Sequence, residues 1–239
     1  MHSCRARDFW ISTSFESGVM VSLILFDCDG TLVDSQYVII ETMNRAFRAK
    51  GLAPPTAEQT RSIVGLSLEN AMAILAPDLG SADHLSLADL YKEHFATLRL
   101  AEDFSEPMFE GVVETLNRLT AAEVLLGVAT GKSLRGLRMV LEHHGLREHF
   151  VTLQTSDFHP SKPHPSMIET ALKETGAAAD ATLLVGDTTF DMEMATAAGV
   201  RPIGVSWGYH PTSALNDAGA EIVLDRFEQV LDLVGDAVA

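Results

Sequence analysis

The chain has 239 residues, 46% of them hydrophobic, enough to bury a full core as one large domain or two modest ones. Thirty-three acidic residues against 17 basic give a formal net charge of -16, a field that repels nucleic acid and anionic lipid and argues against either as a partner. Two cysteines, Cys4 and Cys28, exclude a disulfide framework and a cysteine zinc site, and fit a reducing cytoplasm.

Residues 1–19 hold Arg5, Arg7, Asp8 and Glu16 and no continuous apolar stretch, so they do not read as a secretory signal. They read instead as a disordered extension or an over-called start, because Met20 immediately precedes the first strand-like run. No apolar run reaches the length of a membrane span.

The first strong element is Val21 to Phe26, apolar on both faces as in the buried strand of a parallel sheet, and it stops abruptly at Asp27. Residues 35–106 then show helical periodicity (Val38, Ile39, Met43, Phe47, later Leu68, Ala71, Met72, Leu75). Pro54, Pro55, Pro77 and Gly80 punctuate this all-helical insert. Within it, Met72, Leu75 and Phe95 read as helix-bundle core.

Further strand-like runs follow at Val124 to Ala129, Phe150 to Leu153, Thr182 to Val185, Pro202 to Val205 and Glu221 to Leu224. Helical segments between them end at Gly145, Gly176 and Gly199, where a glycine permits a left-handed cap. The alternation predicts a doubly wound, mainly parallel α/β sheet. The core is then 20–34 plus 107–239, and 35–106 is an inserted helical domain.

Ligands in such sheets bind beyond the carboxyl ends of the strands, so the polar residues there carry the chemistry. The first strand ends Asp27-Cys28-Asp29-Gly30-Thr31, two carboxylates on a tight turn that could hold magnesium or divide nucleophile and proton-transfer roles. The bland alternative is an acidic turn.

The second ends Thr130-Gly131-Lys132, where a hydroxyl and free N–H groups can hold phosphate oxygens, unless Thr130 merely caps a helix. Gly127-x-x-x-Gly131-Lys132-Ser133 is one residue short of a nucleotide P-loop. Lys162 lies in a proline-stiffened loop, either a fixed ammonium for phosphate or a solvated surface lysine.

The fourth strand run ends in Asp187, with Asp191 one helical turn later, as metal ligands or as a capping acid. Trp207 to His210 follow a strand and read as a packed loop, with a place at the site mouth as the other reading. The order Asp-x-Asp, Thr, Lys, Asp-x-x-x-Asp, each at a strand end, is hard to produce by chance.

On these motifs the chain from Val21 to Leu233 resembles the haloacid dehalogenase superfamily, in particular its phosphatases with a helical cap after the first motif, and among them the phosphoglycolate phosphatase-like branch. The resemblance implies Asp27 as nucleophile and Asp29 as general acid and base, with Thr130, Gly131 and Lys162 holding the phosphoryl group. It implies Mg2+ held by Asp27, Asp29 through its backbone carbonyl, Asp187 and, more distantly, Asp191. Specificity would lie in the cap loop around Gly65, and the substrate would be a small-molecule phosphate ester.

Dehalogenases carry an aromatic residue at the position of Asp29, and phosphonatases need a cap lysine for which Lys50 and Lys92 lack a recognisable context. A phosphosugar mutase with the same nucleophile is the nearest alternative, although Val64-Gly65-Leu66-Ser67 has no arginine and only Arg61 is near. A phospho-accepting signalling domain fits less well, because the acidic pair sits on the first strand and a large insert follows. A catalytically silent interaction protein is the remaining reading.

Overall fold

In the computed structural model, which describes residues 20–102 and 104–235, six parallel strands form one sheet in the order β3-β2-β1-β4-β5-β6. These are β1 (Leu23–Phe26), β2 (Leu125–Thr130), β3 (Phe150–Thr155), β4 (Thr182–Gly186), β5 (Arg201–Val205) and β6 (Ile222–Leu224). All six expected strand runs are present, each with its ends within two residues of the expected ones. The 1–19 extension expected from sequence lies outside the described residues.

Side chains of β1 alternate between two cores, as the period of a strand requires. Ile24 and Phe26 join one cluster with α5 (Val112–Ala121) and α6 (Leu134–His143), through Leu116, Leu119, Leu137 and Val140. Leu23 and Leu25 join another with α7 (Ser166–Thr175) and α8 (Thr189–Ala198), through Met167, Ile168 and Met194. Helices on both faces leave the strand ends as the place where polar residues of β1, β2 and β4 converge. The short α9 (Thr212–Asp217) packs against β5 and β6.

Between β1 and β2 the chain also builds α1 (Gln36–Ala49), α2 (Ala57–Arg61), α3 (Leu68–Leu75) and α4 (Ser81–Leu98). These four helices bury a core of their own around Met43, Phe47, Ile63, Met72 and Leu87, separate from the two sheet cores. Met72 and Leu75 pack in or against that core as the periodicity predicts. Phe95 does not: it lines a cavity facing the sheet.

The helical unit is seated on the strand ends. Ser67 N–H donates to Ser161 Oγ at 2.8 Å, and His210 Nε2 lies 3.3 Å from the carbonyl of Ser62. Gly131 has no side chain because the Gly65 and Leu66 carbonyls occupy the space a Cβ would need.

Candidate active site

The turn after β1 is closed by backbone bonds from Leu32 and Val33 to the Cys28 carbonyl, which leave Asp27 and Asp29 pointing beyond the sheet. Gly30 sits at φ +85°, and a Cβ there would collide with Asp187, so this position requires glycine on both counts. Asp27 is fully buried. Its Oδ1 accepts from the Cys28 N–H at 2.7 Å, and its Oδ2 lies 3.0 Å from Lys162 Nζ.

Asp187 leaves β4 directly and accepts from the Thr31 hydroxyl and the Tyr209 N–H, both at 2.9 Å. Asp191 stands in the first turn of α8. Its Oδ1 takes Lys162 Nζ at 2.6 Å, and its Oδ2 takes the Thr188 hydroxyl at 2.6 Å and the Thr188 N–H at 3.1 Å. The capping reading of Asp191 therefore holds, and the same carboxylate also anchors Lys162.

Asp27, Asp187 and Asp191 each offer a carboxylate oxygen within 4.8 Å of the others, and all three are buried. Lys162 is the one cation in contact with this group among the described residues, so with all three carboxylates ionised one ammonium would leave a buried surplus of two negative charges. Burial, with the neighbouring Asp191 and Asp29 charges, raises Asp27 to about 6 despite the opposing pull of Lys162 and Thr130. Burial and the charges of Asp27 and Asp191 push Asp187 well above the usual carboxylate range. Burial alone would lower Lys162, but Asp191 and Asp27 outweigh it and hold the ammonium charged. Surplus negative charge on hard oxygen donors fits a divalent cation of the magnesium type.

Asp29 belongs to a different network. Its Oδ1 accepts from Ser35 Oγ at 2.6 Å and from Lys132 Nζ at 2.7 Å, and Ser35 Oγ is 3.2 Å from the Tyr209 hydroxyl. Lys132 also reaches Glu106 at 3.3 Å, and Glu106 lies 3.4 Å from Arg99 at the end of α4. The Asp29 carboxylate is thus outside the Asp27, Asp187, Asp191 cluster.

Thr130 is buried at the end of β2, near enough to Asp27 to favour its charged form, and its hydroxyl oxygen accepts from the Lys132 N–H at 3.3 Å. Gly131 faces the loop carrying Gly65. The structure thus gathers Asp27, Asp29, Thr130, Gly131, Lys162, Asp187, Asp191 and Gly65 at one end of the sheet.

Sequence reasoning missed Lys132, Glu106, Ser35 and Tyr91. Lys132 figured there only in the near-match to a P-loop, and Gly127 of that match is a mid-strand glycine packed against Leu25 and Thr152. Trp207 to His210 do form a packed loop, with the Trp207 ring against Phe109 and Phe227, but the loop also touches the site. Gly208 lies against Asp187, Tyr209 donates to it, and His210 Nδ1 accepts from the Thr189 N–H at 3.1 Å. Of the two cap lysines, Lys50 is tied to Asp83 and Ser86, whereas Lys92 pairs with Asp89 at the cavity rim.

A parallel sheet in this order, with a carboxylate cluster at its strand ends and a helical insert after the first strand, defines an α/β phosphotransfer fold with a cap. Residues 24–205 match the haloacid dehalogenase-like hydrolase family, and the chain belongs to it. The "Probable phosphatase IndB" of Dickeya dadantii is 36% identical over 215 residues, covering 89% of this chain and 93% of that one. A phosphoglycolate phosphatase of Photobacterium profundum is 28% identical over 223 residues, 90% and 96% of the two chains. The crystal structure of a predicted phosphoglycolate phosphatase from Haemophilus somnus shares the fold with a TM-score of 0.80 at 21% identity, covering 91% of this chain and 99% of that one. Among the described residues no helix is long and apolar enough to cross a membrane.

Proposed function

We infer that the chain is a magnesium-dependent phosphatase that hydrolyses a small-molecule phosphate monoester through an aspartyl-phosphate on Asp27. The observation that carries this reading is the buried Asp27 carboxylate, held between Lys162 and the Asp187 and Asp191 pair with a net surplus of negative charge. Anionic phosphate cannot approach such a carboxylate unless cations offset both charges.

Asp27, Asp187 and the backbone carbonyl of Asp29 would hold Mg2+, with Asp191 acting through Lys162, because both Asp191 oxygens already accept from Lys162 and Thr188. The ion supplies charge neutralisation at the phosphoryl oxygens. Thr130, Gly131 and Lys162 hold those oxygens. In the first step an Asp27 oxygen bonds to phosphorus, the ester P–O bond breaks, and Asp29 gives a proton to the departing alkoxide. In the second, Asp29 takes a proton from the water that attacks phosphorus, and free phosphate leaves as Asp27 is restored.

Residues 35–106 act as the cap and 20–34 with 107–239 as the catalytic core. The names of the curated relatives support a phosphoglycolate-like ester as the first substrate to try. A reducing cytoplasm suits the buried free thiol of Cys28. Arg61 is absent from the described residues that line the cavity, which disfavours the phosphosugar mutase.

Phosphate release from a panel of esters, with Mg2+ and with chelator, beside Asp27→Asn, tests the reading. Mg2+-dependent release that falls by about 10³-fold or more in the variant is expected. Near-normal turnover by Asp27→Asn would remove the nucleophile.

A further inference from the structure

The Asp27 and Asp29 carboxylates form one end of a cavity of about 640 Å³. This lies within the roughly 300–1,000 Å³ of pockets that enclose drug-sized ligands, and equals the share of about twenty waters in the liquid. A two-carbon phosphate ester would leave most of it empty. The volume does not come from a lifted cap, since the Ser67–Ser161 and Ser62–His210 contacts and the Gly131–Gly65 approach are all closed.

Beyond the phosphate end the walls are mostly apolar, with Lys92, Arg99 and Arg135 among them. Met43 and Leu68 come from the cap, Tyr91 and Phe95 from α4, Leu100 from just past its end, and Met139 from α6. Tyr91 and Phe95 stack with centroids 6.1 Å apart, and Lys132 Nζ lies 5.6 Å from the Phe95 centroid.

We propose that the physiological substrate is the phosphate monoester of an alcohol bearing an aromatic ring, whose body fills this cavity against Tyr91 and Phe95. The proposal rests on the phosphatase reading and names its substrate class. Aromatic faces recognise a flat ring by offset or edge contacts as well as by area, which selects it over an aliphatic body of equal size.

The experiment compares kcat/KM of the full chain with Mg2+ for phosphoglycolate, benzyl phosphate and 2-naphthylmethyl phosphate, in all of which the leaving oxygen sits on a primary carbon. The arylmethyl esters are expected to exceed phosphoglycolate by about tenfold or more, mainly through KM. Ala96→Trp, at an exposed α4 position on the cavity wall, is expected to lower that ratio by about tenfold. Hydrolysis of phosphoglycolate with equal or weaker turnover of the arylmethyl esters would overturn the proposal and leave the phosphatase reading standing. An unchanged ratio in Ala96→Trp would overturn it as well. Release from none of the three while other esters of the panel are hydrolysed would overturn the proposal alone; release from no ester of the panel would defeat the phosphatase reading, and the proposal with it.

Discussion

Lys132 Nζ lies 2.7 Å from Asp29 Oδ1, joining a lysine just past β2 to a carboxylate just past β1. The same ammonium reaches Glu106, so one buried cation separates two buried carboxylates, with side-chain exposures of 11% for Asp29 and 3% for Glu106. Burial alone would discharge Lys132; Asp29 and Glu106 more than compensate and raise it well above the usual lysine range.

Removing that cation leaves the two acids facing each other. Lys132→Met is expected to cost about 3 kcal/mol of stability, the low end for breaking a buried pair, since Glu106 keeps Arg99. Adding Glu106→Gln to Lys132→Met should recover part of the loss. Urea melts of the two variants and the double variant measure this. A Lys132→Met protein as stable as the parent would show that the network contributes nothing.

Asp27 predicts how stability follows pH. Its folded-state value of about 6 lies above the ordinary 3.8, so its contribution to stability is fully present below pH 3.8 and lost as pH rises through about 6. The metal-free protein is therefore expected to be more stable near pH 5 than near pH 7, by about 1 kcal/mol from this group alone. Saturating Mg2+ should flatten the dependence, because the cation replaces the proton. Thermal melts in chelator and in Mg2+ across that range check the sign. A metal-free protein that melts higher at pH 7 would contradict it.

Gly131 predicts a mechanical effect. A Cβ at this position meets the Gly65 and Leu66 carbonyls, which are backbone and cannot swing aside. Gly131→Ala should displace the cap loop while leaving the sheet intact, lowering kcat/KM by up to about 10²-fold, the order expected for an ångström of misplacement. Steady-state kinetics beside far-UV circular dichroism separates this from unfolding. Unaltered kinetics would mean that the loop yields freely.

Asp187 offers a cleaner probe of the metal than the nucleophile does. Asp187→Asn removes a buried charge but keeps the shape that Thr31 and Tyr209 hold. It is expected to weaken Mg2+ binding by an order of magnitude or more, while the metal-free protein becomes no less stable. Isothermal titration with Mg2+ reads the first effect and a chelator melt the second. Mg2+ affinity unchanged in the variant would remove Asp187 from the ligand set.

What the sequence disclosed and what it hid divide along physical lines. Asp27, Thr130 and Asp187 stand at the ends of short apolar runs, so placing the strands placed them too. Lys162 was legible because prolines fence it into a strand-to-helix loop. Lys132 and Glu106 were not, because their relation to Asp29 spans 103 residues for one partner and is reached only by folding the insert back on the core.

Phe95 shows a second limit. Helical spacing marks an apolar face without saying whether protein or ligand will cover it. On α4, Leu87 turns into the cap core, while Phe95, two turns on, faces the cavity. The residues from Trp207 to His210 were hidden differently, since no periodic pattern reveals that a loop's backbone N–H will be aimed at an acid from another strand.

The double engagement of Asp191 reaches into folding. Its two oxygens fasten the start of α8 with one and the only lysine of the acidic cluster, among the described residues, with the other. Ordering the first turn of that helix and importing a cation into the interior are thus a single cooperative event. Until Lys162 arrives, Asp191 faces Asp27 and Asp187 with no ammonium between them. Amide exchange at Asp191 and Met192 would consequently be governed by openings that also dissolve the charged site, so the first turn of α8 doubles as a clock for how often this protein loses its chemistry.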